Sequence, residues 1–212
     1  ALCQELTYGC VRWQGTLDWL IDRQTQNRQQ KPVVQILLRL GLYQIFFLDR
    51  IPPHAAVHST VETAKALRYE DQAGFINAVL RTALRDTDII RKALAELKTT
   101  NPAAGFSHPE WLVARWQERF GAEETLKLLE WNNSPAKVFA RANSLKVAPA
   151  KLLEFWRSDN VTYNFVFQDW LEENLVFEFK SHPPIEAMRS FNNGFFYVQD
   201  PSTLFAVDLL AP

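Results

Sequence analysis

His54 and His58 stand four residues apart, and Glu62 follows at the same interval. On a helix the three share one face, which is ligand spacing for a metal ion, but a closed site needs a third and a fourth good donor. The Pro52-Pro53 pair just before them fits a helix start better, so the histidines read as cap or surface residues and no metal is expected. Cys3 and Cys10 are the only thiols. On one helix they lie two turns apart, about 10 Å, too far for a disulfide. No Lys, His or helix start beside them would lower a thiol pKa, so they read as packing residues and not as nucleophiles. In "QDPST" the expected chemistry is a helix cap: Asp200 accepts backbone N–H bonds, Pro201 takes the first helical position, and Ser202 and Thr203 tolerate the first turn. The remaining chemistry is cationic. Arg81 and Arg85 are one turn apart, Lys65 and Arg68 lie on the helix before, and Arg12 and Arg39 lie upstream. Guanidinium forks grip phosphate, and several together give salt-sensitive affinity for nucleic acid. Taken singly, each is better explained as a solvated helix face with local pairs such as Glu62–Lys65.

The segments that must position these side chains are mostly helical. "ALCQELTYGCVRWQGTLDWLIDRQ" spaces Leu2, Leu6, Val11, Leu17 and Leu20 at helical intervals, with a bend or break expected near Gly15. "PVVQILLRLGLYQIFF" is apolar around nearly its whole circumference, the mark of a central buried helix. "HAAVHSTVETAKALRY" and "AGFINAVLRTALRDTDIIRKALAEL" carry single apolar stripes. Two short helices meet near Gly121, with Trp111, Leu112, Trp116 and Phe120 as their packing face. Beyond Pro135 the pattern becomes β-α-β-β-α-β: "KVFARANSL", the helix "APAKLLEFWRS", "VTYNFVFQDW", "LVFEFKS", the helix "PIEAMRSF", and "GFFYVQD". In that last strand, alternation puts Phe195 and Tyr197 on one face, where aromatic rings can meet bases as in four-stranded RNA-binding sheets, or simply pack. "PSTLFAVDLL" forms one helix more than the unit requires.

At 212 residues, 47% apolar and 22% charged, this is an ordinary globular composition. The net charge of −1 divides unevenly, about +3 over residues 1–100 and −4 over 101–212. A mildly basic front half is compatible with nucleic acid without demanding it. No apolar run approaches the roughly 20 residues of a membrane span, and no signal pattern is present; free thiols suit the cytoplasm.

"ILLRLGLYQIFFLDRIPPHAAVHSTVETAK", followed by "GFINAVLR", resembles the helical RNA-binding domain of the NusB type. "HPEWLVARWQERFG", "NNSPAKVFARAN" and "GFFYVQDPSTLFAVDLLAP" are similar to the connecting segment and amino-terminal subdomain of bacterial rRNA cytosine-5 methyltransferases of the Sun/Fmu/RsmB type. The blocks occur in the family's order and cover nearly the whole chain. The resemblance implies a mainly α protein in three parts: a NusB-like bundle over residues 1–100, a helical connector over 101–135, and a small α+β subdomain of ferredoxin-like or RRM-like order over 136–212. It implies a parent enzyme that uses S-adenosylmethionine to methylate small-subunit rRNA, of which this chain is the RNA-holding piece. The cofactor loop and the catalytic domain, its partner in cis, would lie beyond. Family nucleophiles occur in Pro-Cys and Thr-Cys-Ser settings; Leu2-Cys3-Gln4 and Gly9-Cys10-Val11 match neither, so no catalytic residue is expected here. Gln199, Asp200 and Ser202 would stand near the cofactor domain. The rival reading is a non-enzymatic NusB-like factor of antitermination or ribosome assembly, which would end after the bundle.

Overall fold

The structure is a computed structural model that describes residues 2–210. The chain divides into two compact units, Ala1–Ser134 and Pro135–Pro212.

The first unit is all helix: α1 (Leu2–Arg12), α2 (Gln14–Thr25), α3 (Pro32–Phe47), α4 (Pro53–Ala66), α5 (Glu70–Arg85), α6 (Thr87–Thr100), α7 (Pro102–Gly105), α8 (Glu110–Phe120) and α9 (Ala122–Asn133). Its centre is α3, which buries Val34, Leu37, Leu38 and the unbroken run Gly41 to Phe46. Helices α1, α2, α4 and α5 pack around it. Proline opens both α3 and α4, where its missing N–H costs nothing and its fixed φ is already helical. Acidic Glu70 and Asp71 begin α5 and Arg85 ends it, matching the helix dipole at both ends. Gly41 lets α5 come close: a Cβ there would meet the Leu80 methyl groups at 2.6 and 2.8 Å. Gly9 does the same for α1, whose backbone lies against the Tyr43 ring while the Tyr43 hydroxyl donates to Glu5 Oε1 at 2.7 Å.

The break between α1 and α2 falls at Trp13, with φ −100° and ψ 18°, rather than at Gly15. Gly15 instead provides close approach: its N–H donates to Ser107 Oγ at 2.8 Å, and Thr16 Oγ1 donates to the Ala104 carbonyl at 2.7 Å. These bonds tie α2 to α7. The α8–α9 pair closes a small cluster of Ala103, Phe106, Val113 and Leu129. Its expected packing face is only partly right. Trp116 packs against the cluster, but Trp111 is 66% exposed and Phe120 is also exposed, because Val113 sets the inward direction of α8.

The second unit has strands β1 (Val138–Ala142), β2 (Thr162–Phe165), β3 (Val176–Ser181) and β4 (Phe196–Val198), and helices α10 (Pro149–Ser158), α11 (Arg189–Asn192) and α12 (Ser202–Leu210). The sheet order is β2-β3-β1-β4 with every neighbouring pair antiparallel. That is the split β-α-β arrangement, and the fold class is the expected one, mainly α with a small α+β unit. The core is aromatic. Trp156 of α10 is fully buried and meets Phe177, Phe179 and Phe196 edge-on at centroid distances of 5.0, 4.9 and 5.4 Å.

Three local expectations here are corrected. "PIEAMRSF" is no continuous helix but a 3-10 turn, Ile185–Ala187, followed by the single turn of α11, since Pro183-Pro184 delays helix entry and Met188 is drawn extended into the core. "VTYNFVFQDW" is a strand only over four residues, and Phe167 beyond it is exposed. Phe195 and Tyr197 do not form a shared aromatic platform. β4 begins at Phe196, Phe195 packs on Phe155 at 5.4 Å, and Tyr197 alone is exposed.

Candidate nucleic-acid interface

The six cations singled out from the sequence do not gather at one place. Arg39 is committed elsewhere: its Nε and Nη2 donate to Asp18 Oδ1 and Oδ2 at 2.7 and 2.8 Å, and Gln35 Nε2 donates to the same carboxylate at 2.7 Å. This fork joins α3 to α2 with side chains only 21% and 30% exposed, so two of the three guanidinium nitrogens are engaged by protein. Arg12 is exposed at the end of α1. Lys65, at the end of α4, pairs with Glu62 at 2.8 Å, as expected, and both are half exposed. Glu62 is held below the usual carboxylate range by that hydrogen bond and by the Lys65 charge. Arg68 sits in the α4–α5 turn with φ +64°, a left-handed conformation that lets the chain reverse and its amide donate to the Lys65 carbonyl at 2.9 Å. Arg68 is 13 residues from Arg81, about 20 Å along α5.

Arg81 and Arg85 stay together, one turn apart and exposed on α5. Arg81 Nε donates to Asn77 Oδ1 at 2.9 Å, which fixes the guanidinium along the helix face. Arg85 is looser: Nη2 reaches Thr82 Oγ1 at 3.2 Å, and Nε lies 3.9 Å from Asp86. Opposite Arg81 stand His54 and His58. The two imidazoles, Asn77 and Arg81 line one cleft of about 140 Å³ between α4 and α5, floored by Val57, Val61 and Leu84. The sequence alone predicts a cap or surface role for the histidines and treats the arginines as a separate feature. The structure instead brings His54, His58 and Arg81 to one cleft. The available signal was the pair of i, i+4 spacings, His54/His58 and Asn77/Arg81, on two helices joined by a short turn. Among the described residues no group of three His, Cys, Asp or Glu forms that could hold a metal.

A second hollow in this unit, about 330 Å³, is lined by Trp13, Phe47, Arg91 and Lys98 among others. The Lys98 ammonium already stands over Trp13 and Phe106, at 5.8 and 5.0 Å from the ring centroids.

In the second unit Asp200 caps as expected: Oδ1 accepts from Ser202 N at 2.9 Å and from Ser202 Oγ at 2.6 Å. Gln199 accepts from Arg141 Nη1 at 3.4 Å and donates to Thr203 Oγ1 at 2.8 Å, while its N–H reaches the Phe139 carbonyl. The three side chains named for the cofactor side are thus bonded to their own neighbours. Cys3 is exposed, and burial pushes Cys10 from 9.0 up to about 11, against a smaller opposing pull from Arg39. No helix among the described residues is long and apolar enough to cross a membrane.

Residues 1–85 match the NusB family, and residues 108–168 match the Methyltr_RsmF/B-like, ferredoxin-like domain. Along its whole length the chain is 33% identical to the probable ribosomal RNA small subunit methyltransferase B of Bacillus subtilis (strain 168), covering 46% of that protein. It is 32% identical to the ribosomal RNA small subunit methyltransferase B of Escherichia coli O1:K1 / APEC, covering 47%. The chain therefore spans a little under half the length of these relatives. The crystal structure of PH0851 superposes on all of the chain with a TM-score of 0.62 at 19% identity, covering 46% of that protein, a likeness of fold. The chain thus carries a NusB domain followed by an RsmF/B-like ferredoxin-like domain, and it is similar along its whole length to ribosomal RNA small subunit methyltransferase B proteins.

Proposed function

We propose that this chain is the RNA-binding and RNA-positioning part of an S-adenosylmethionine-dependent cytosine-5 methyltransferase acting on small-subunit rRNA in the cytoplasm. The observation that carries this reading is the order of the two domain matches, together with relatives along the chain's full length that are named ribosomal RNA small subunit methyltransferase B. The domain limits proposed for it remain 1–100, 101–135 and 136–212. Arg81 and Arg85 are its first candidates for RNA contact, with Lys65, Arg68 and Arg12 as outlying cations that a longer RNA would reach. Arg39 has the weakest claim, because its fork already holds Asp18.

S-adenosylmethionine supplies the methyl group in such a reaction, and the described residues do not fit it. Gln199, Asp200 and Ser202 satisfy one another and Arg141 and Thr203, and a thiol at about 11 is no nucleophile near neutral pH. The chain's own work is to hold RNA, and the catalytic domain is its proposed partner in cis. Two measurements test the reading. Incubation with labelled S-adenosylmethionine and small-subunit rRNA should give no incorporation by this chain alone, and clear turnover would refute its non-catalytic role. Titration with rRNA fragments should give salt-dependent binding whose log–log slope falls by about two in an Arg81→Ala/Arg85→Ala variant. An unchanged slope removes those arginines from the interface.

A further inference from the structure

We infer that the α4–α5 cleft is a binding site for one backbone phosphate of the RNA, with Arg81 as its anchor and His54 and His58 as its facing donors. This rests on the RNA-binding reading above and narrows it to a place and a chemistry.

Size comes first. At about 140 Å³ the cleft has room for the liquid volume of roughly four or five waters. Pockets for whole small molecules begin near 300 Å³, so a nucleobase with its sugar does not fit, whereas a tetrahedral oxyanion does.

The lining comes second. His54, His58, Asn77 and Arg81 are its polar members, and no carboxylate is among the lining residues. Glu62 stands close enough to His58 for the ring to help hold its carboxyl low, and both nearby acids have cationic partners. Glu62, one turn beyond His58, is bonded to Lys65, and Asp86 faces Arg85. An incoming anion would therefore meet a guanidinium and two imidazoles, with no carboxylate among the lining side chains and Glu62 already partnered by Lys65.

Preparation of the donors comes third. The Asn77 carboxamide oxygen takes Arg81 Nε and leaves the two terminal nitrogens of the guanidinium as the outward prongs. A fork held in advance loses less freedom when it binds, which is the advantage of arginine over lysine at such a place. Beneath it, Val57, Val61 and Leu84 replace water with hydrocarbon, so each charge-assisted bond is stronger than on an open helix face. Arg85 stands one turn further along α5 with its side chain 74% exposed, which extends the cationic track out of the cleft. A track of this kind suits a phosphate that belongs to a strand better than a free ion.

The test uses the whole 212-residue chain with its histidine rings and arginine side chains isotopically labelled. It is titrated at constant ionic strength with a small-subunit rRNA hairpin and, separately, with inorganic phosphate. The chain has four histidines, and the other two serve as internal controls. His108 Nδ1 is bonded to the Phe106 carbonyl and His182 Nδ1 to the Pro183 carbonyl, each at 2.7 Å. With RNA, the His54, His58 and Arg81 signals should shift together and saturate at the binding midpoint while His108 and His182 stay still. Arg81→Lys should weaken RNA binding about tenfold with the salt slope kept, because the charge remains and the fork is lost. Arg81→Gln should lower the slope by about one. If RNA binds but the His54, His58 and Arg81 signals do not move, the cleft assignment is wrong and the RNA-binding reading survives. If the signals respond to inorganic phosphate and the hairpin does not bind, the site takes a free ion and the RNA assignment is overturned. If the chain binds neither the hairpin nor inorganic phosphate, both the cleft assignment and the RNA-binding reading fall.

Discussion

Replacing Arg39 by alanine separates two roles that a cationic residue on a helix can have. Its side chain and that of Asp18 are 21% and 30% exposed, and two short charge-assisted bonds join them. Exposed ion pairs are worth at most about 1 kcal/mol, and breaking a fully buried one costs about 3–5 kcal/mol. A pair that is roughly three-quarters covered belongs toward the upper range. Gln35 would still hold Asp18, however, and water can reach the abandoned carboxylate, which lowers the cost. The expected loss is about 2 kcal/mol, or about 6 °C in Tm for a helical unit of this size. Circular dichroism melts and urea titrations of Arg39→Ala, Asp18→Asn and the double variant would measure it. The double-mutant cycle should recover a coupling of about 1–2 kcal/mol between the two sites. RNA affinity, measured at a temperature where both proteins are folded, should be unchanged. The reasoning is refuted if Arg39→Ala melts like the parent and loses RNA affinity tenfold, because the guanidinium would then be a phosphate ligand that merely rests on Asp18.

Two further expectations concern stability and reactivity. At pH 8 a thiol reagent should modify exposed Cys3 quickly and Cys10 slowly; since burial raises Cys10 to about 11, the stability tied to its protonated form is complete below about pH 9 and is lost as pH rises from there toward 11, so the urea midpoint should fall between pH 8 and pH 10. Two equally fast thiols would contradict this. Gly105→Ala places a Cβ 2.6 Å from Lys98 Cα and 2.7 Å from its N, backbone atoms that cannot swing aside, so it should cost about 1–3 kcal/mol in urea unfolding, and a neutral effect would show that α7 moves freely against α6.

Much of this architecture was legible in the residues, for reasons that differ between elements. Helix α3 could be read because its apolar side chains surround it and proline marks its start; the order of the second unit could be read because "KVFARA" and "LVFEFKS" alternate while "KLLEFWRS" does not. The errors came where one residue overrode a pattern. Val113 rather than Trp111 chose the inward face of α8, and Met188 rather than helix propensity set the path after Pro184. The candidate site was less legible because it depends on helix pairing. His54 and Arg81 are 27 residues apart, and only the packing of α4 on α5 puts them in one cleft. The Arg39–Asp18 fork, 21 residues apart, was hidden for the same reason: composition gives the charge of a side chain but not its partner.

The bare backbone at Gly9 carries a consequence for how α1 finds its place. Only glycine leaves room for the Tyr43 ring, and Gly9 is the one buried residue of this helix. Sliding α1 by one turn in either direction would bring Glu5 or Trp13 over the same ring, and neither leaves that space free. Half-buried Leu6 and Cys10 supply adhesion that many offsets could satisfy, whereas the notch admits a single one. The contact between α1 and α3 is thus keyed as well as sticky, and it selects one alignment of the two helices from several that hydrophobicity alone would tolerate.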